Sequence, residues 1–395
     1  MSNFSYALTL GWLMGRKVAG QRPKYEPFTP GLYETGTTTL TYSWNDMLTD
    51  GVVSVTDGVV TDNYGDQTAS LAGDLVLPGD GSVTEIGEYF FYGSAITKVT
   101  IPEGITTIQA YAFEDCNSLT AIRIPASATS IGWIGLQRCD ALSTVHIASD
   151  NTTYFSSKNH VYSSDGLTLL FVPRAVSKYE ISDTVQYIGD HAFYLHNITS
   201  VGIVGSGCTL ELPNSIQTIG EYTFSYCASL TGIDLPESVQ TIGESAFRDC
   251  TSLVNVNIKD KVTKVGEFAF SGCLSLNAIT LPDTITSLGS AAFIDCTALT
   301  TVNIPNQITD LANSMFSGCT SLKSITIPSA IAEISPYAFK NCTSLTTAIF
   351  EVTSGWYVRS YSGDGTAISV ASASAAAKLL RDTYANSVYY IYRNV

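Results

Sequence analysis

Charge is scarce in this chain. Only 14% of its 395 residues are Asp, Glu, Lys or Arg, while 45% are hydrophobic, a balance that belongs to an ordered, packed protein and excludes a disordered tail. Basic residues are scarcer still: 20 Lys and Arg stand against 35 Asp and Glu, a formal net charge of −15. A nucleic-acid binder or an anionic-membrane binder presents a basic face, so neither partner is expected. Long hydrophobic runs are missing too, since no apolar stretch reaches the ~18 residues that span a bilayer.

The sequence is equally short of catalytic signatures. It has no Gly-x-Ser-x-Gly elbow, no phosphate-cradling Gly-x-x-x-x-Gly-Lys and no His-Glu-x-x-His zinc helix. Gly202, Gly205 and Gly207 carry a nucleotide-loop spacing in reverse, with no helix to follow. Of the four histidines, His146, His160, His191 and His196, the last two are five apart, the wrong interval for one helical face. Asp57, Asp62 and Asp66 lack the alternate-residue order of a calcium loop and read as a solvated acidic turn. The expectation is a protein without enzymatic activity, metal or cofactor.

What is present is a period. Cysteines stand at 116, 139, 208, 227, 250, 273, 296, 319 and 342, and from Cys227 onward every step is 23 residues. Disulfide frameworks do not space themselves this way; repeats do. Phe224, Phe247, Phe270, Phe293, Phe316 and Phe339 each stand three before a cysteine, and Leu230, Leu253, Leu276, Leu299, Leu322 and Leu345 three after one. Pro213, Pro236, Pro282, Pro305 and Pro328 share the register, with Lys259 in the place of the missing proline. Thiols of neighbouring units come within disulfide distance but point the same way into the core, so reduced, buried thiols are expected. That fits assembly in a reducing cytoplasm.

The unit that follows Cys227 carries Leu-x-x-Ile-x-Leu-Pro, a short half-buried strand ended by a proline that cannot donate to a ladder. The following Ile-Gly-x-x-Ala-Phe-x-x-Cys is too short for a free-standing helix and reads as a tight turn or short helical segment. All apolar positions face one way, so only stacking on neighbours buries them. About ten units begin near Val83, Ile105, Ala128, Val185, Ile216, Val239, Val262, Ile285, Ile308 and Ile331.

The string Ile-Gly-x-x-Ala-Phe-x-x-Cys-x-Ser-Leu-x-x-Ile-x-Ile-Pro resembles the BspA-like (Treponema-type) leucine-rich repeat family over residues 83–350. The resemblance implies a curved α/β solenoid with a parallel β-sheet on its concave side. It also implies a role in surface attachment, in binding host proteins or in binding other cells, and it carries over no catalytic residue.

Four regions follow. Residues 1–30 read either as an anchor or docking segment with a Pro-rich linker or as a poorly ordered leader, and 31–82 as a β-rich N-terminal cap with Asp50-Gly51 and Asp57-Gly58 turns. Residues 83–350 form the solenoid and 351–395 an α/β C-terminal cap. The cap reads as a strand at Trp356 to Val358, an Ala-rich helix at Ala371 to Tyr384 and an aromatic strand at Val388 to Tyr392. In the docking segment Ala7, Gly11, Gly15 and Ala19 recur every four beside Trp12, a small-residue stripe suited to close helix approach. Its basic residues follow the apolar part, the reverse of a secretory signal. Two interruptions break the register. A β-hairpin insertion at 150–173, turning at Asp165-Gly166, is expected to protrude, either as a structural part or with Tyr154, Phe155, His160 and Tyr162 as binding contacts. Val204 to Thr209, with the out-of-register Cys208, reads as a loop.

The remaining candidate is the polar face of the strand ladder: Lys98, Thr100, Arg123 and His146, then Asp234, Asn255, Asn257, Thr280, Asn303 and Thr326. A broad, shallow, polar surface suits a protein or glycan ligand. The leading reading is a non-enzymatic recognition or attachment protein, placed at a cell surface or on a virion after cytoplasmic synthesis. The alternatives are a bacteriophage virion component docked or self-associated through residues 1–22, and a purely structural scaffold.

Overall fold

The computed structural model describes residues 40–41, 53–56, 59–62, 72–77, 79, 81, 83–203, 209–360, 366–383 and 389–393, all within the unit Thr37–Val395. The docking segment with Ala7, Gly11, Trp12, Gly15 and Ala19 lies outside the described residues, as do the linker after it, Asp57-Gly58, Asp66 and the loop bearing Cys208.

Each coil of the solenoid adds a rung to two parallel ladders. The first ladder holds the longer strands. It runs through Ala72–Val76, Ala95–Thr100, Ala121–Ile124 and Thr144–Ile147. A second run is Ser200–Ile203, Gly232–Asp234 and Asn255–Asn257, with Leu210–Leu212 on the outer side of Ser200–Ile203. Ala278–Ile279 with Thr301–Val302, and Ser324–Ile327 with Thr347–Phe350, continue the pattern. The second ladder consists mostly of two-residue strands such as Thr218–Ile219, Thr241–Ile242, Lys264–Val265 and Ser287–Leu288. They pair at the sequence period, Thr241 opposite Lys264 and Lys264 opposite Ser287. The result is a β-solenoid of about 12 turns.

The stretch between the ladders is turns. Among the described residues only Trp133–Leu136 closes into a 3-10 helix. Its backbone still joins neighbouring coils: the amides of Ser245, Phe247 and Asp249 donate forward to the carbonyls of Glu267, Ala269 and Ser271. The short-strand ladder donates backward, as Gly266 does to Ile242. Together the two directions satisfy backbone groups that burial would otherwise leave orphaned.

The glycine after each short strand has a steric cause. A Cβ on Gly266 would stand 2.5 Å from the Glu244 nitrogen and 2.6 Å from the Gly243 carbonyl carbon, inside any real contact. Adjacent coils approach there so closely that the position has no room for a side chain.

Between the ladders lies the core. Phe193, Phe224, Phe247, Phe270, Phe293, Phe316 and Phe339 stack in one column with centroids 5.3 to 5.7 Å apart, all essentially inaccessible. Beside it runs a thiol column. Cys250, Cys273, Cys296 and Cys319 each donate to the carbonyl of the phenylalanine 26 residues earlier, at 3.1 to 3.2 Å. The eight described cysteines are free and buried, as the spacing predicted.

The insertion differs from its expectation. Tyr154–Ser157 and His160–Ser163 form one antiparallel hairpin about Lys158 and Asn159, both at positive φ, the signature of a two-residue primed turn. His160–Ser163 then pairs with Thr168–Phe171 through the expected Asp165-Gly166 turn. Thr168–Phe171 is itself a rung, parallel to Tyr187–Ile188. The meander is therefore built into the stack rather than protruding from it, and it supplies a rung without the Phe and Cys signature. Trp133 ties it to the preceding coil through Tyr154 and Phe171.

At the two ends other pairings appear. Val53–Thr56 and Val59–Asp62 form a hairpin that runs parallel to Glu85–Ile86. The C-terminal strand Tyr389–Arg393 lies antiparallel to both Glu333–Ile334 and Trp356–Ser360, and the helix Ala373–Lys378 buries Ala376 and Ala377. Among the described residues no helix is long and apolar enough to cross a membrane.

Candidate recognition face

Alternation along the longer strands sends every second side chain outward, as in Thr144–Ile147 and Ser324–Ile327. Register then lines these side chains into two rows. One joins Asp74, Lys98, Ala121 and Thr144; the other joins Thr100, Arg123 and His146. Farther on, Gly232 stands opposite Asn255 and Asp234 opposite Asn257, with Thr280, Asn303 and Thr326 following at the repeat interval.

The predicted face residues are all on the surface, but they are not equivalent. Lys98 is paired with Asp74 at 3.1 Å, and hydrogen bonds from Thr97 and then Lys98 hold the Asp74 carboxyl below its ordinary value. The Lys98 charge is to that extent neutralised. Asn303 is engaged with backbone: its Oδ1 accepts from the Leu281 amide at 2.8 Å and its Nδ2 donates to the Leu281 carbonyl at 2.7 Å. It stitches two coils and has little left for a ligand.

Asp234, Asn255, Asn257 and Thr280 come together. They line an open depression of about 480 Å³ with Ser200, Gly232 and Ala278. Small residues make the hollow: a Cβ on Gly232 would touch only Asn255, at 3.9 Å. On its rim Asp234 Oδ1 accepts from Asn257 Nδ2 and from Lys259 Nζ, each at 2.7 Å. A carboxylate, a carboxamide and an ammonium group thus stand side by side on a strand surface whose inward side chains, Val201, Ile233 and Ile279, are buried in the core beneath it. This combination hydrogen-bonds and offers van der Waals contact at once, which suits a peptide or a sugar. Lys259 was not among the predicted site residues. Its signal was the one place in the register where lysine replaces proline.

The insertion residues are a correction. His160 is 0% and Tyr162 2% exposed, so neither is available to a partner. Tyr154 leans on Trp133 and its hydroxyl donates to the Thr129 carbonyl at 3.0 Å. Phe155, 40% exposed and stacked on Tyr162, is the one broad contact surface among the four.

A family profile described as BspA type leucine rich repeat region (6 copies) matches residues 84–204, 168–258 and 217–346. No match is found among the curated proteins. Solved structures similar to this chain include a leucine-rich repeat protein of T. pallidum, 24% identical over 50% of this chain and 89% of that one, with a TM-score of 0.37. A leucine-rich repeat protein of Eubacterium ventriosum is 21% identical over 75% and 81%, with a TM-score of 0.41. The pneumococcal vaccine antigen PcpA is 17% identical over 76% and 81%, with a TM-score of 0.44.

Proposed function

Because the chain belongs to the BspA-type leucine-rich repeat family, we propose that it is a non-enzymatic recognition protein displayed at a cell surface, binding a protein or glycan through the outward face of its longer strands. In this reading that face is the concave side of the solenoid. The observation that carries the reading is the open depression at Asp234, Asn255, Asn257 and Thr280, with Lys259 on its rim. Residues 31–82 and 351–395 act in this reading as caps that shield the terminal coils, and residues 1–30 as the tether.

The test compares the intact chain with an Asp234→Ala/Asn257→Ala/Lys259→Ala variant on a printed glycan array and on immobilised extracellular-matrix proteins. Ligands retained by the intact chain and lost by a variant of unchanged melting temperature support the face. Identical binding profiles would sink it.

A further inference from the structure

The turn before each buried phenylalanine holds one residue at positive φ in coil after coil. Near the N-terminal end these are Tyr89, Tyr111, His191 and Tyr222; farther along they include Ser245, Ala291 and Ser314. That conformation is costly for any residue with a Cβ and asks for no aromatic ring. Nor does the core need these rings, because Phe91, Phe113, Phe193 and Phe224, two residues on, already fill it.

The early rings form a surface stripe. Tyr89 stacks on Tyr111 at 5.3 Å and 6°, and His191 on Tyr222 at 4.9 Å and 4°. Between Tyr111 and His191 the Trp133 coil places Ile134 at the equivalent position, and Tyr111, Ile134, His191 and Tyr222 are all partly exposed. At the ~4.8 Å spacing of strands the stripe is roughly 20 Å long. Carboxylates flank it: Glu88, Asp190 and Glu221 directly precede Tyr89, His191 and Tyr222, and the Tyr222 hydroxyl donates to Glu244 at 3.1 Å. Partial burial, then the charges of Asp190 and Glu244, make the Glu221 charge less favourable, and Lys264 offsets this only in part.

Two later coils show what such a ring does here. Phe268 and Tyr337 occupy the same positive-φ position, and each is covered by a cation of the chain, Arg248 at 5.9 Å and Lys340 at 5.1 Å from the ring centre. Among the described residues no lysine or arginine stands over Tyr89, Tyr111 or Tyr222.

We propose that the Tyr89–Tyr222 stripe docks a basic segment of a partner polypeptide, whose lysine and arginine side chains lie over the tyrosine rings while the flanking carboxylates meet their charge. Aromatic faces attract cations, and more strongly where desolvated; tyrosine is also enriched in the centres of protein interfaces. A glycan would use the rings but gain little from the carboxylate row. This surface lies on the turns rather than on the strand face, so it stands or falls independently of the depression at Asp234.

The test is a fluorescence-anisotropy titration of a labelled ten-residue lysine–arginine peptide against the full chain. Saturable, salt-sensitive binding is expected. It should weaken at least tenfold in Tyr111→Ser/Tyr222→Ser, in which serine is the residue other coils hold at this position, and stay within twofold in Tyr111→Phe/Tyr222→Phe. Asp190→Asn/Glu221→Gln, which leaves the rings in place, should also lose at least tenfold. Asp183→Asn/Asp260→Asn removes the same charge elsewhere and should lose less than twofold. No binding by the intact chain, full binding by the serine variant, or equal losses in the two charge variants would overturn the proposal.

Discussion

The thiol of Cys273 lies 3.2 Å from the carbonyl oxygen of Phe247 one coil earlier, and donates to it. The same bond recurs from coil to coil, so the cysteine row supplies a polar contact that an aliphatic side chain of similar size would not. Burial pushes the Cys273 thiol well above its ordinary range, as it does for Cys250 and Cys319. A thiolate is the reactive species, so these groups are protected twice, by access and by protonation.

Thiol titration with an aromatic disulfide reagent should therefore label at most one of the nine cysteines in the native protein, and all nine after denaturation. Cys273→Ala should cost about 1–3 kcal/mol, from a small cavity and an unsatisfied Phe247 carbonyl. Rapid native labelling of several thiols would contradict the column as described.

Gly266→Ala adds a single methyl at the closest approach of two coils. Because the atoms it meets are backbone, relief requires the coils to separate, and the expected loss is about 2 kcal/mol or more in denaturant unfolding. The same change at Gly232, where the space is open, should cost less than about 1 kcal/mol.

Acid should loosen the region around the insertion first. Burial lowers the His196 imidazole to about 3, with its Nε2 donating to the Val172 carbonyl at 3.1 Å, and lowers His191 to about 4. His160, fully buried, shifts the same way through desolvation, which outweighs the opposing pull of the Lys158 and Ser157 backbone. In each case the unfolded chain binds protons more readily than the folded one. The stabilisation is complete above the unfolded value near 6.5 and is lost as pH falls from there toward the folded values. The melting temperature should drop between pH 6.5 and 5, above the range of most carboxylates, and His160→Leu should flatten that drop. An unchanged pH profile in the variant would remove His160 from the account.

Asn303 and Asn257 occupy the same outward row but should behave differently. Asn303→Ala breaks both bonds to Leu281 and should cost about 1–2 kcal/mol of stability. Asn257→Ala loses one exposed bond to Asp234 and should change stability by less than about 0.5 kcal/mol while weakening any ligand of the depression. Paired unfolding and binding measurements on the two variants separate stitching from recognition.

The 23-residue register was legible because each coil must present the same side chain to the same column. Phe270 can stack on Phe247 and Phe293 only if all three recur at one interval. The longer strands showed their alternation for the same reason. The short-strand ladder did not, since two residues such as Thr241 and Ile242 contain no period to detect. The insertion shows the limit most sharply: Asp165-Gly166 announced its turn, yet whether His160 and Tyr162 faced outward depended on how the meander registers against neighbouring coils. The sequence by itself determined the repeat, the positions of the longer strands and the buried columns, because those follow from local pattern repeated many times. Only the tertiary structure decided why Gly266 must be glycine, that Asn303 is engaged while Asp234 and Lys259 meet, and that Tyr89 and Tyr111 stack into a surface stripe. Each of these is a contact between coils, and the approach of two backbones is set by the whole stack rather than by any one unit.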